Sequence, residues 1–217
     1  MKFRRSKSDR EQPDVEVPST DAAEQAVAED HPRAKGPWDA SEIEIADDDR
    51  SRIDLGSLVI TPREGLELQL QVDEQRGHVV AVVLAGPEGA VELRPFAAPR
   101  NGDIWDDVRA QIAAEVTRRG GTATEAVGPW GPELRVVLTM TTPEGQSGQQ
   151  PSRVFGIAGP RWLLRATFFG KPALEPDDHG LVEQALRDVV VRRGDQALAP
   201  GEALPLSVPP DLSPREG

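Results

Sequence analysis

From Leu66 to Asp73 the chain alternates, with Leu66, Leu68, Leu70 and Val72 set against Glu67, Gln69, Gln71 and Asp73. A period of two places one set on a buried face and the other in water, which predicts an amphipathic β-strand. Val79 to Leu84 is almost wholly apolar, the pattern of a central strand covered on both faces, and Leu58-Val59-Ile60 is a short strand ended by Pro62. Asp73-Glu74-Gln75-Arg76-Gly77 and Gly86-Pro87-Glu88-Gly89 are turn sequences, the second leading into a strand from Ala90 to Phe96. Together these segments predict an antiparallel meander.

The period then changes. Ile104, Val108, Ile112 and Val116 recur every four residues, and Trp105 and Ala113 widen the stripe, so a helix packs one face on the sheet. Asp103 is placed to cap it, Asp106 and Asp107 fall in its first turn, and Arg118-Arg119 precede Gly120-Gly121 at its end, each charge suiting the helix dipole. After a loop containing Gly128-Pro129-Trp130-Gly131-Pro132, the pattern predicts strands over 133–141, 153–158 and 161–169, with a polar loop at 142–151. A second helix is expected from Asp177 or Asp178, carrying Leu181, Val182, Ala185, Leu186, Val189 and Val190 and ending at Arg192-Arg193-Gly194. Strands, helix, strands, helix with hairpin-length links describe an α+β fold: a single antiparallel sheet of six to seven strands with two main helices packed on it.

The ends differ from this body. Residues 1–50 are rich in Asp, Glu, Ala, Pro and Ser and poor in large apolar groups, so they read as a disordered acidic tail. The globular domain is expected over 51–195. A proline-rich segment follows over 196–217, where the alternation of Leu204, Leu206 and Val208 suits an extended strap partly docked on the domain. Within the tail, Gly36-Pro37-Trp38-Asp39 has two readings, a segment folding back on the domain or a linear motif awaiting a partner groove.

Charge sharpens this division. Residues 11–49 contain thirteen Asp and Glu against Arg33 and Lys35, so this stretch accounts for nearly all of the net charge of −12. The remainder is close to neutral and lacks the basic balance of a general nucleic-acid binder. There is no cysteine, which excludes disulfides, thiolate catalysis and zinc-thiolate sites. The basic start, Met1 to Lys7, runs into Asp9, Glu11 and Asp14 rather than an apolar segment, so it is no signal peptide, and no run is long enough to span a membrane. A cytoplasmic location is expected.

Few residues suggest chemistry. His31, His78 and His179 stand apart from one another, Asp177-Asp178-His179 lacks further ligands, and no phosphate-binding loop, nucleophile elbow or paired-histidine zinc motif is present. No cofactor, metal site or catalytic group is predicted, and the chain is read as a non-enzyme. Arg4-Arg5-Ser6-Lys7-Ser8 has the form of a kinase substrate site at Ser6 or Ser8, or of a weak tether to anionic lipid. The candidate binding residues are Trp130, Arg161 and Arg165. Trp130, between two prolines, is either a plug at the end of the core or a rigid exposed anchor. Arg161 and Arg165 share the strand face opposite Trp162 and Leu164, either paired with carboxylates of neighbouring strands or forming an anion-binding or partner-docking patch.

Three pieces of sequence together resemble a known family. They are Asp54-Leu55-Gly56-Ser57-Leu58 with Pro62, the Gly159–Arg165 heptad followed by Ala166-Thr167-Phe168, and Pro200-Gly201-Glu202-Ala203-Leu204-Pro205-Leu206. They are similar to an uncharacterised actinobacterial family, domain of unknown function 3710, across most of the chain from residue 36. The family supplies no activity or site residues. The resemblance implies a cytosolic bacterial protein whose C-terminal segment belongs to the domain. The element order is also similar to a Mog1/PsbP-type αβα sandwich, which implies a binding role by analogy of fold. The expected function is a non-enzymatic interaction or adaptor domain with an unidentified protein partner; the alternative is a small-molecule or anion receptor, or an enzyme without a recognisable motif.

Overall fold

The computed structural model describes residues 33–45, 51–141 and 147–209. The larger of its two sheets has seven antiparallel strands. β4 (Glu67–Asp73), β5 (His78–Ala85) and β6 (Gly89–Ala97) form the predicted meander. A second meander runs through β7 (Thr122–Gly128), β8 (Gly131–Thr141), β9 (Ser147–Gly159) and β10 (Trp162–Gly170). β10 joins the two by pairing with β6, giving the order β4-β5-β6-β10-β9-β8-β7. A smaller sheet, in the order β1-β11-β3-β2, comprises β1 (Trp38–Asp39), β11 (Val190–Val191), β3 (Leu58–Ile60) and β2 (Ile53–Asp54). The helices are α1 (Trp105–Arg118), α2 (Lys171–Leu174) and α3 (Leu181–Arg187). The fold is α+β, with α1 on one face of the large sheet and the small sheet and α3 on the other.

Alternation along β10 fixes which face is which. Trp162, Leu164, Ala166 and Phe168 are buried in the main core with Leu93, Phe155, Leu186 and Val191. Leu163 faces the other way, into a smaller cluster with Trp105, Leu134 and Val154 beneath α1. The α1 stripe packs as its spacing predicts, and Asp103 Oδ1 accepts the backbone N–H of Trp105 at 2.9 Å. A side chain at Gly156 would place its Cβ 2.1 Å from the Trp105 ring, so glycine there lets the helix come down onto β9.

Two buried indoles determine where the chain ends go. Trp162 Nε1 donates to Asp39 Oδ2 at 2.6 Å, and Trp130 Nε1 donates to the Gly36 carbonyl at 3.1 Å. A buried N–H without an acceptor would cost about 1–3 kcal/mol, and the segment Gly36–Asp39 supplies both acceptors. Trp38 N–H to Val189 O (2.9 Å) and Ala40 N–H to Val191 O (3.0 Å) then stitch β1 beside β11. At Gly36, φ is +82° and a Cβ would lie 2.0 Å from the Arg187 carbonyl, so only glycine fits. Gly36-Pro37-Trp38-Asp39 therefore folds back on the domain, and the boundary at residue 51 is corrected: residues 33–45 belong to the globular body. The rest of the acidic tail, residues 1–32 and 46–50, lies outside the described residues, as do Ser6, Ser8, His31, Asp47-Asp48-Asp49 and loop residues 142–146.

The C-terminal segment has an equally specific place. Pro95 has no N–H, and β5 pairs with β6 only from Ala90 to Leu93. Beyond that point residues 201–206 take over: Leu204 N–H donates to Pro95 O at 2.9 Å and Ala97 N–H to Glu202 O at 2.8 Å. Leu204 and Leu206 are buried, whereas Val208 is exposed.

Two further expectations are corrected. The second helix is one short element, Leu181–Arg187, and the chain beyond it enters the small sheet as β11. Val189-Val190-Val191 is a β-branched run, wholly buried, and suits a strand closed in on both sides. The expected loop before Trp130 contains β7, an edge strand. It has few large apolar residues because one face is open to water, and Val127 is 84% exposed.

Besides Asp39, two carboxylates are buried among the described residues. Glu133 is matched by Arg153, whose Nη2 and Nε reach Oε2 and Oε1 at 2.8 and 3.2 Å, while Nη1 donates to Pro172 O at 3.0 Å. Glu183 on α3 is 4% exposed, and its Oε1 has no hydrogen-bond partner among the described residues. Burial pushes the Glu183 carboxyl above the usual range and Asp177 adds to this; the backbone amides of Glu183 and Asp177 and the Arg153 guanidinium oppose it. A raised carboxyl pKa means that the folded state holds the proton more tightly than the unfolded one. Stability contributed by the neutral form is thus present in acid and lost as pH rises through the folded pKa. Glu183→Gln is expected to raise the urea midpoint near neutral pH, by about 1 kcal/mol in unfolding free energy. That gain should vanish in acid below the ordinary carboxyl range; an equal or lower midpoint at neutral pH would show that the carboxylate is stabilising.

Candidate functional site

Among the described residues, the face of the large sheet beneath α1 is incompletely covered. Between the helix and β6–β10 lies a groove of about 450 Å³, walled by Phe96, Ile104, Val108 and Ile112 and reached by Arg165. Asp107 and Gln111 of α1 supply polar groups on the opposite wall, and Pro200-Gly201 forms a lip.

Arg165 stands directly across from Arg94 in the β10–β6 register. Both guanidiniums look to the single carboxylate of Glu92. Arg94 Nε holds it at 2.7 Å and also donates through Nη2 to Gln71 Oε1 at 3.1 Å, while Arg165 Nη2 stays 3.8 Å from Glu92 Oε1. That is ion-pair range but too long for a hydrogen bond. The Arg165 guanidinium lies over the Phe96 ring, 5.5 Å from its centroid. Burial pushes its pKa below the ordinary arginine value, Arg94 adds to this, and Glu92 opposes it. An arginine remains charged regardless. The result is a cation in an apolar groove, with half a counter-ion and no hydrogen bond from its guanidinium among the described residues. Chemically it can receive a carboxylate or phosphate oxygen.

The three predicted site residues do not come together. Trp130 lies on the opposite face from Arg165, in the main core, edge-on to Phe155 at 5.2 Å and beside Phe168 at 6.2 Å. It is the plug, and the exposed-anchor reading is corrected: Pro129-Trp130 make the tight turn between β7 and β8, and the indole turns inward to donate to Gly36. Arg161 lies in the turn before β10 with φ of +62°, exposed, so it does not share a strand face with Arg165. Strand alternation holds from Trp162 onward and is broken one residue earlier. On the neighbouring strands, Arg153 is committed to Glu133, and Arg135 also contacts Glu133 at 3.2 Å. Sequence reasoning missed Phe96, Asp107 and Gln111. Their signal was available in the polar side of the α1 stripe and in the pairing of β6 with β10, but that pairing spans two meanders and leaves no local trace.

A family model described as "Protein of unknown function (DUF3710)" matches residues 36–215. The chain belongs to this family. The DUF3710 match begins at Gly36, the residue whose carbonyl accepts the Trp130 indole, and so takes in both indole acceptors and the C-terminal strap. No curated protein matches the sequence. Among solved structures, the chain is similar to cyanobacterial PsbP (CyanoP) from Synechocystis sp. PCC 6803, determined in solution, at 9% identity and a TM-score of 0.36, covering 69% of this chain and 98% of that one. Among the described residues no helix is long and apolar enough to cross a membrane, and no three His, Asp or Glu side chains are grouped to hold a metal ion.

If Trp130 serves the core rather than a ligand, Trp130→Ala should lower unfolding free energy by about 3–5 kcal/mol. Urea denaturation would measure this, and a loss below about 1 kcal/mol, the usual scale of a surface change, would return Trp130 to the surface.

Proposed function

We propose that this DUF3710 member is a non-catalytic, cytoplasmic interaction domain that docks a partner protein in the groove beneath α1. Arg165 receives a carboxylate of the partner, from an acidic side chain or a chain terminus, and Phe96, Ile104, Val108 and Ile112 take the adjoining apolar side chain. The observation that carries this reading is the state of Arg165: half-buried, stacked on Phe96 and sharing Glu92 with Arg94 without a hydrogen bond of its own. A guanidinium desolvated in advance gains more from a new carboxylate than a solvated one, because part of its desolvation cost has already been met in folding. The non-catalytic element of the proposal rests on the sequence, where no nucleophile, base or phosphate-binding motif is found. A second reading, a receptor for a free aliphatic acid, is favoured by the groove volume, which lies in the range of small-molecule sites.

Panning a random peptide display library on the purified chain tests the proposal. Recovered peptides should share a carboxylate next to an apolar residue, and Arg165→Gln should weaken them by about tenfold or more while leaving the urea midpoint near wild type. Peptides that bind Arg165→Gln as tightly as wild type would refute the site. Saturable octanoate binding with no peptide recovered would favour the receptor reading over protein docking.

A further inference from the structure

A second cleft, sharing no lining residue with the groove beneath α1, lies between the β5–β6 turn, α2 and the start of α3. Its floor is apolar, with Leu66, Pro172 and Val182. Its walls carry four carboxylates, Glu88, Glu175, Asp177 and Glu183, against one ammonium, Lys171. Lys171 Nζ is already paired with Glu88 Oε1 at 2.7 Å, and the hydrogen bond and charge of Glu88, with Glu175 and Asp177 behind it, hold that ammonium above the usual lysine range. The mouth of the cleft therefore has a negative potential that its own lysine does not neutralise.

The deeper observation is Glu183. It is 4% exposed, its Oε1 has no hydrogen-bond partner among the described residues, and Arg153, whose charge acts on it, is engaged by Glu133 and Pro172 O. Its carboxylate sits over Gly180, another wall residue: a Cβ there would lie 2.2 Å from Glu183 Oε2. A buried carboxylate with an unused oxygen is costly, and natural folds retain one where something completes it. Among the described residues these carboxylates do not converge closely enough to hold a metal ion. The complement is instead a single positive group with its own hydrogen-bond donors. The cleft holds about 170 Å³; a cavity of about 150 Å³ accommodates benzene, so there is room for a head group and a few methylenes.

We propose that this cleft binds a primary alkylammonium group, which donates to Glu183 while its methylenes lie on Leu66, Pro172 and Val182. The group belongs either to a free amine or to the side chain of a lysine presented by another molecule.

The test is an amide-resolved NMR titration of the full chain with n-butylammonium chloride, n-pentanol as a neutral control of similar length, and Nα-acetyl-lysine methylamide. Butylammonium should shift the amides of Glu88, Lys171, Gly180 and Glu183, and pentanol should not. Glu183→Gln should weaken binding by about tenfold, the worth of a charge-assisted hydrogen bond. Lys171→Gln should tighten it by about two- to threefold, because it removes an exposed competing ammonium; a purely structural lysine would give no such gain. Matching shifts with the capped lysine assign the site to a lysyl side chain, and shifts with butylammonium alone assign it to a free amine. Equal shifts with pentanol, no shift at these amides, or unchanged affinity in Glu183→Gln would overturn the proposal.

Discussion

Two indole N–H groups buried on one face of a sheet constrain the rest of this molecule. Trp162 stands in the central strand and Trp130 in a turn at the end of the core, and both indoles take their acceptor from outside the large sheet. The Gly36 carbonyl and the Asp39 carboxylate meet that need. Once they do, Trp38 and Ala40 are in position to pair with the β11 region, and the small sheet is completed across the core face. Cations finish the arrangement: Arg187 lies 5.2 Å from the Trp130 ring and Arg33 5.5 Å from that of Trp162. A fold that could have stopped at two meanders and a helix is in this way obliged to recruit a segment from the edge of its acidic N-terminal region.

The same constraint separates the two faces. The core face is closed by the N-terminal segment, the small sheet, α3 and the C-terminal strap, the last filling the gap that Pro95 leaves beside β6. Among the described residues the other face carries only α1, and one helix cannot cover a seven-stranded sheet. The half-buried polar row of β6 and β10, Glu92, Arg94 and Arg165, lies at the limit of its cover. Charge surplus and a half-buried apolar wall coincide there, which makes it the better place for a ligand than the aromatic face.

The legible parts of the fold were those with a local period. The alternation from Leu66 to Leu70, the apolar run from Val79 to Leu84 and the four-residue stripe of α1 each state their own geometry; a bulge between Gln71 and Val72 ends the first and leaves Val72 exposed, against its predicted face. The face of Arg165 was legible in the same way, since parity along β10 sets it opposite Trp162. What was not legible depends on distant partners. Trp130 fits a core plug and a rigid exposed anchor alike until its acceptor is found 94 residues earlier, and the acceptor of Trp162 lies 123 residues away. Edge strand β7 carries too little apolar surface to be recognised, and Val189-Val190-Val191 satisfies a helical stripe as readily as a buried strand until β3 and β1 are known to flank it. Arg161 failed by one position, because a positive φ in the turn interrupts the alternation that the rest of the heptad obeys.

The central claim is that residues 36–40 are part of the cooperative core and not a tail resting on it. Native-state hydrogen exchange of the full chain measures this at single amides, because amides that open only with global unfolding exchange at the global rate. The Trp38 and Ala40 amides, bonded to Val189 and Val191 carbonyls, should be protected to the same level as Leu164 and Ala166 in the central strand. Exchange at Trp38 and Ala40 orders of magnitude faster than in β10 would contradict the account, since the indole acceptors would then come and go without disturbing the fold.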